Sequence, residues 1–218
     1  MIYVGGHFIL IHRLLEPVSA WLWLAFWLVW VVWGFITSRR RLVITRERGG
    51  LRLGWWMLLI WVIYKICTGS ILPGYLPNGL YMIFIRLGNL LGTYLWAGSL
   101  PAVIAGFLLE VFGLSLAIWA RAHLGAFWSG QVVLREGHLV VDTGPYRRIR
   151  HPIYSGILLA LIGTFLMSGW VLWLVILGVA AVNMTARLQS EECLLTRELG
   201  EEYVRYRSRT RMLIPWLL

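Results

Sequence analysis

Long apolar runs alternate with short, arginine-rich polar intervals along the chain, and this alternation sets the expected elements. Residues 18–36 form a tryptophan-rich apolar run. It is long enough to cross a bilayer core as a helix, which takes about 20 residues. Residues 54–72 predict a second span, with Lys65 near its far end, where the long stem can lie on apolar surface while the ammonium reaches water. Residues 101–120 predict a third. Two shorter runs, 153–167 and 170–186, predict a helical hairpin turned at Ser168-Gly169. Each is about 24 Å long at 1.5 Å rise per residue, so the two are expected to tilt or to continue into the water phase. Residues 73–99 carry the turn signals Pro73-Gly74, Pro77 and Asn78-Gly79. Within them, 80–96 is broken by Arg86, Gly88, Asn89 and Gly92 and reads as an interfacial or partly inserted segment. Residues 1–16 read as an interfacial helix or an extension of the first span, with no small-residue cleavage site behind them. Residues 191–211 carry charged, helix-forming sequence, followed by an apolar ending.

Composition agrees with this pattern. Hydrophobic residues make up 59% of the 218 and charged residues 14%, against about 25% charged in a typical soluble domain. The expected fold class is an all-α integral membrane protein, one domain over 1–218 with about five transmembrane helices. Its site is expected at the carboxyl-terminal hairpin and its flanks. The net charge of +10 raises nucleic-acid binding, but the arginines flank apolar runs and bring no recognition motif, so no nucleic-acid partner is expected. Seventeen basic residues fall in the intervals 39–52, 121–150 and 187 onward, whereas the opposite side has only Arg13 and Arg86. The positive-inside rule then puts the amino terminus outside and the carboxyl terminus, with both polar clusters, in the cytosol. Cys67 and Cys193 read as small apolar residues.

The chemistry concentrates in residues 137–154, GHLVVDTGPYRRIRHPIY, and in Arg187-x-x-x-Glu191-Glu192. A tight 153–186 hairpin would bring the two together. An aromatic belt with basic anchors accounts for the tyrosines and arginines of the first stretch, but not for its histidines or its Gly-Pro turn. His123, His138 and His151 lack a close ligand spacing and no cysteine pair accompanies them, so no metal is expected. Arg187 and Glu191 share a helix face; read plainly, they form a surface ion pair of a few tenths of a kcal/mol. Glu192 lies about 100° round the helix from Glu191, so the two carboxylates need not do the same job. Glu110, mid-span, is either functional or a hydrogen-bonded packing group. The P-loop, G-x-G-x-x-G, H-E-x-x-H and nucleophile-elbow signatures are all missing.

Taken as a set, these residues resemble the isoprenylcysteine carboxyl methyltransferase family. The likeness rests on Gly144-Pro145-Tyr146-x-x-x-Arg150-His151-Pro152-x-Tyr154-x-Gly156, then Arg187-x-x-x-Glu191-Glu192 and Gly200-x-x-Tyr203-x-x-Tyr206. Leu124-Gly125-x-x-Trp128-Ser129 upstream and Leu213-Ile214-Pro215 at the end fit as well. It covers about the last 120 residues; the first 75 match only as generic spans. The resemblance implies a small helical membrane bundle, with a methyltransferase core at 101–218 behind variable spans at 1–100. It also implies S-adenosyl-L-methionine as cofactor, contacted by Gln131, His138, Leu139, Val140, Val141, Tyr146, His151, Pro152, Ile153, Tyr154 and Glu191, with Arg187 orienting the acceptor. The implied reaction is carboxyl O-methylation of a lipid-like, isoprenylcysteine-type acceptor that enters from the bilayer. Physical chemistry is compatible. A carboxylate suits the cofactor's ammonium, while histidine and tyrosine suit its carboxylate. An anionic acceptor needs no general base, and a guanidinium can grip it with two prongs. The alternatives are a phospholipid or amine N-methyltransferase and an NADPH-dependent sterol-type reductase. Against the reductase, that group reads R-H-P-N-Y-x-G-D where this chain has Ile153 and Ile157. A small transporter ranks last.

Overall fold

The computed structural model describes residues 6–38, 43–46, 86–87, 89–95, 99–128, 133–135 and 140–213. Four α-helices dominate the described residues: α1 Gly6–Ser38, α2 Leu100–Leu124, α3 Pro152–Ser168 and α4 Val171–Arg209. Among them, Leu14–Ile36, α2 and α4 are long and apolar enough to cross a membrane, while α3 is a shorter apolar helix. The protein is an integral membrane protein. The expected span 54–72 lies outside the described residues, as do 80–85, 88 and 96 of the expected interfacial segment.

One expectation is settled and one changes in detail. The fifth span, 170–186, runs on into the charged segment after it, the continuation that its short apolar run allowed. From Val171 to the break at Gly200 α4 is about 43 Å long at 1.5 Å per residue, longer than a bilayer core, so its charged part projects beyond the apolar region. Gly200, with φ 55° and ψ −132°, breaks its course. The all-α expectation is also incomplete. A small antiparallel pair joins β1 Val43–Arg46 to β2 Val133–Arg135, with Val43 opposite Arg135 and Arg46 opposite Val133. Runs of three and four residues carry too little periodicity to be read from sequence. The pair places the polar intervals after α1 and after α2 at the same end of the bundle. At the other end, Leu95 N–H donates to Gly169 O (2.9 Å) and Val171 N–H to Thr93 O (3.1 Å).

Hairpin closure follows from Ser168-Gly169, where Gly169 ends α3 in the left-handed conformation at φ 70°. Helices α2 and α3 then meet along a seam of glycines. A Cβ added to Gly106 would fall 2.6 Å from Gly163 O, and one added to Gly113 would fall 2.5 Å from Gly156 O. Seven residues separate the glycines on each helix, so both pairs lie on one seam. In a bilayer, where helix association gains little from apolar burial, such small residues let backbones approach closely.

Glu110 sits on this seam with 0% exposure. Its carboxyl receives the Ser19 hydroxyl of α1 at 2.8–2.9 Å and lies 3.1 Å from Thr164 Oγ1 of α3. Thr164 also lies 2.9 Å from Ala160 O and accepts Trp23 Nε1–H at 3.0 Å. The group therefore fastens three helices, which favours packing as its role. Glu110→Gln is expected to melt near wild type, because an amide still offers a donor and an acceptor. Glu110→Ala should cost about 1–3 kcal/mol through the hydroxyls left unpaired. Thermal melts in detergent check this; equal damage from both changes would show that the carboxyl itself is required.

Candidate functional site

The site is built from the 140–154 segment laid across the middle of α4. Gly144 turns the chain at φ 56° into the 3-10 turn Gly144–Arg147. A side chain there is blocked as well as strained, since its Cβ would fall 2.3 Å from His123 Nε2. The turn points Tyr146 inward to 5% exposure, and its carbonyl accepts the Tyr206 hydroxyl of α4 at 2.8 Å. Burial, and then the Glu191 charge, push the Tyr146 phenol well above its usual range, so it stays a neutral donor. The next residues pair with the segment after α4. Arg150 N–H donates to Arg211 O (2.7 Å), His151 N–H to Met212 O (3.1 Å) and Arg211 N–H to Arg148 O (3.0 Å). Pro152 then opens α3, and Ser155 donates its hydroxyl to Leu213 O.

Two polar clusters result, and they divide the adjacent glutamates between them. In the first, Arg150 Nε–H donates to Glu192 Oε1 at 2.5 Å, and His151 Nε2 lies 3.2 Å from the same oxygen. Arg207 Nε is 3.3 Å from Glu192 Oε2. Arg150 Nη1 also donates to Arg207 O (3.2 Å) and Thr210 O (2.6 Å). This buried knot ties the start of α3 to the end of α4. In the second cluster, Arg187 Nε–H donates to the Tyr154 hydroxyl at 2.5 Å, and that hydroxyl donates to Glu191 Oε2 at 3.4 Å. Arg187 is buried and Glu191 half-buried.

The hairpin thus brings Tyr146, His151, Tyr154, Arg187 and Glu191 together. Pro152 and Ile153 are buried beneath them, and half-buried Val141 packs on the same core with Val140 beside it. Gln131, His138 and Leu139 lie outside the described residues. Sequence reasoning separates Glu192 from Glu191 by about 100° of helix but misses the knot around Glu192, because spacing does not name Arg150 and Arg207 as its partners. It also missed Arg121, which reads as one more basic anchor. Arg121 is 1% exposed. Its guanidinium carbon lies 3.6 Å from the Trp128 ring centroid and 4.2 Å from that of Trp30. None of its nitrogens has a hydrogen-bond partner among the described residues. A desolvated cation–π contact is worth about 2 kcal/mol, whereas burying an ion costs several kcal/mol. The cage alone does not balance the burial.

These features define a class, a helical integral membrane protein with a polar site where its last hairpin meets the surface. Residues 105–197 match the model of the isoprenylcysteine carboxyl methyltransferase (ICMT) family. The chain is 32% identical over 127 residues to methanethiol S-methyltransferase of Mycobacterium tuberculosis (strain ATCC 25618 / H37Rv), covering 56% of this chain and 46% of that one. The solved structure of the eukaryotic intramembrane Ras methyltransferase ICMT shares the fold, with a TM-score of 0.50 at 20% identity over 74% of this chain and 51% of the other. The chain spans about half the length of these relatives. Residues 105–197, less than half of the chain, carry the family match, and the solved structure shows the likeness of fold.

Proposed function

We propose that the chain is an S-adenosyl-L-methionine-dependent membrane methyltransferase that esterifies a carboxylate on a lipid-like, isoprenylcysteine-type acceptor. The observation that carries this reading is the Arg187–Tyr154–Glu191 relay, which sets a cation and an anion on either side of one phenol. The donor set fits the cofactor. Glu191 would hold its ammonium, and the buried Tyr146 phenol would donate to its carboxylate. The valines at 140–141, with Pro152 and Ile153, would line its adenosine end, beside Gln131, His138 and Leu139. His151, which faces Glu192, would hold the segment in place rather than reach the reacting atoms.

When bound, the cofactor supplies an electrophilic methyl on a sulfonium. A carboxylate acceptor would need no general base, since the C–S electron pair would stay on sulfur as the C–O bond formed and no proton would have to move. Arg187 would aim the acceptor carboxylate, and the low-dielectric surroundings favour the approach of opposite charges. An amine acceptor would need deprotonation and would be repelled by Arg187. A small thiol acceptor is the second reading, favoured by the likeness to methanethiol S-methyltransferase. The cofactor would arrive from the cytosol, the side that the arginine distribution assigns to the site, and the acceptor from the bilayer.

Calorimetric titration in detergent tests the cofactor. S-adenosylhomocysteine is expected to bind saturably and NADPH not at all, and Glu191→Ala and His138→Ala should each weaken binding at least tenfold. Binding of NADPH alone would move the protein to the reductases; binding of neither by folded protein would remove the proposal. A panel of carboxylate, thiol and amine acceptors then separates the methyl-transfer readings.

A further inference from the structure

Arg121 is a permanent charge enclosed at the site end of the bundle, and none of the groups described above uses it. Trp128 and Trp30 lie over its guanidinium at 3.6 and 4.2 Å, with Trp33 further off at 5.8 Å. Trp30 and Trp128 meet edge to face at 5.4 Å. Because the two rings are perpendicular, the guanidinium can lie flat against only one of them, and neither offers an oxygen to its five N–H donors. Among the described residues no acceptor meets Nε, Nη1 or Nη2. Gly34 of α1 faces the Nη2 edge, where even a Cβ would come no closer than 3.4 Å, so this edge is lined by bare backbone. A fork of donors walled by aromatic rings and met by no acceptor among the described residues matches two oxygens of a carboxylate or phosphate.

The neighbourhood indicates where that oxyanion comes from. Val31, Val32 and Phe35, on the turns of α1 beside Trp30 and Gly34, are 50–67% exposed and apolar. An exposed apolar surface on a helix long enough to cross a bilayer suits hydrocarbon, so a ligand reaching the cage along it would come from the lipid phase. We propose that the Trp30–Arg121–Trp128 cage seats the anionic headgroup of a membrane amphiphile, gripping its phosphate or carboxylate through the edge of Arg121. This site is separate from the acceptor-orienting role given to Arg187 and does not depend on methyl transfer.

The test uses the full chain in uncharged detergent with no cofactor added. Short-chain phosphatidic acid, an uncharged diacylglycerol of the same chain length and inorganic phosphate are each titrated, with melting temperature and native mass spectrometry as readouts. Phosphatidic acid is expected to bind one per chain and raise the melting temperature, while diacylglycerol does neither. Arg121→Gln should weaken that binding at least tenfold, whereas Arg205→Gln, at an exposed arginine of α4, should leave it unchanged. Arg121→Lys keeps the charge but not the fork and should fall between; it serves in place of the glutamine variant if that one fails to fold. Saturation by inorganic phosphate at the same cage would make a free ion the source and keep the oxyanion site. Wild-type protein that binds no phosphatidic acid, or binding equally strong in the Arg121 and Arg205 variants, would overturn the proposal.

Discussion

Glu192→Ala is expected to cost about 3–5 kcal/mol, because among the described residues it removes the one carboxylate paired with Arg150 and His151 and strands the buried Arg150 charge. For a chain of this size that is a fall of roughly 6–20 °C in melting temperature. The neighbouring Glu191→Ala should behave in the opposite way. Its carboxylate is half-buried and touches a neutral phenol, so melting should change by about 1 kcal/mol or less, while S-adenosylhomocysteine binding falls at least tenfold. Measuring both quantities on both variants is the decisive comparison. Equal melts for the two variants would remove the distinction between a structural and a ligand-facing glutamate. Glu192→Gln should recover part of the loss, since the amide oxygen can still accept from Arg150.

The second large effect is expected at the α2–α3 seam. An alanine at Gly113 would put its Cβ 2.5 Å from both Gly156 O and Ala160 N, and no side chain is there to swing away. The helices would have to part by about 1 Å, a gap that forfeits about a quarter to a half of each dispersion contact along the seam. Gly113→Ala is therefore expected to cost about 1–3 kcal/mol, and Gly113→Leu should prevent recovery of folded protein. Cofactor binding should fall alongside stability, because α3 carries Tyr154 and its first residue follows His151. Detergent melts and the yield of monodisperse protein check this. An alanine variant as stable as wild type would show that the seam has slack.

Much of the bundle was readable because the signals were local. The tryptophan-rich run at 18–36 is in α1, the Ser168-Gly169 turn closes the hairpin, and the charges expected to converge across it do so at Tyr154, Arg187 and Glu191. What escaped depended on partners distant in sequence. The short apolar run at 170–186 leaves tilt and continuation into water both open, and the continuation forms because backbone hydrogen bonding crosses a water boundary without regard to side-chain polarity. Gly106 and Gly113 could be seen, but not that Gly163 and Gly156 would lie opposite them, since register is set by the connection through 125–151. Glu191 and Glu192 differ by one step in sequence and by their whole surroundings in the fold. Arg121 was counted as an anchor because aromatic caging requires Trp30, some 90 residues earlier.

The pairing of residues 211–213 with 148–155 has a consequence for how the protein is made. Arg150 and His151 find their backbone acceptors, and Ser155 a second acceptor besides His151 O, in chain that follows the whole of α4. During synthesis α2 and α3 can zip along their glycine seam as soon as both are threaded, but the polar segment above them still lacks its last partners. Threading into the membrane and completion of the polar clusters are thus separate events in time, the second waiting on residues some 60 positions downstream. A nascent chain stalled before residue 211 would be threaded and still lack those contacts.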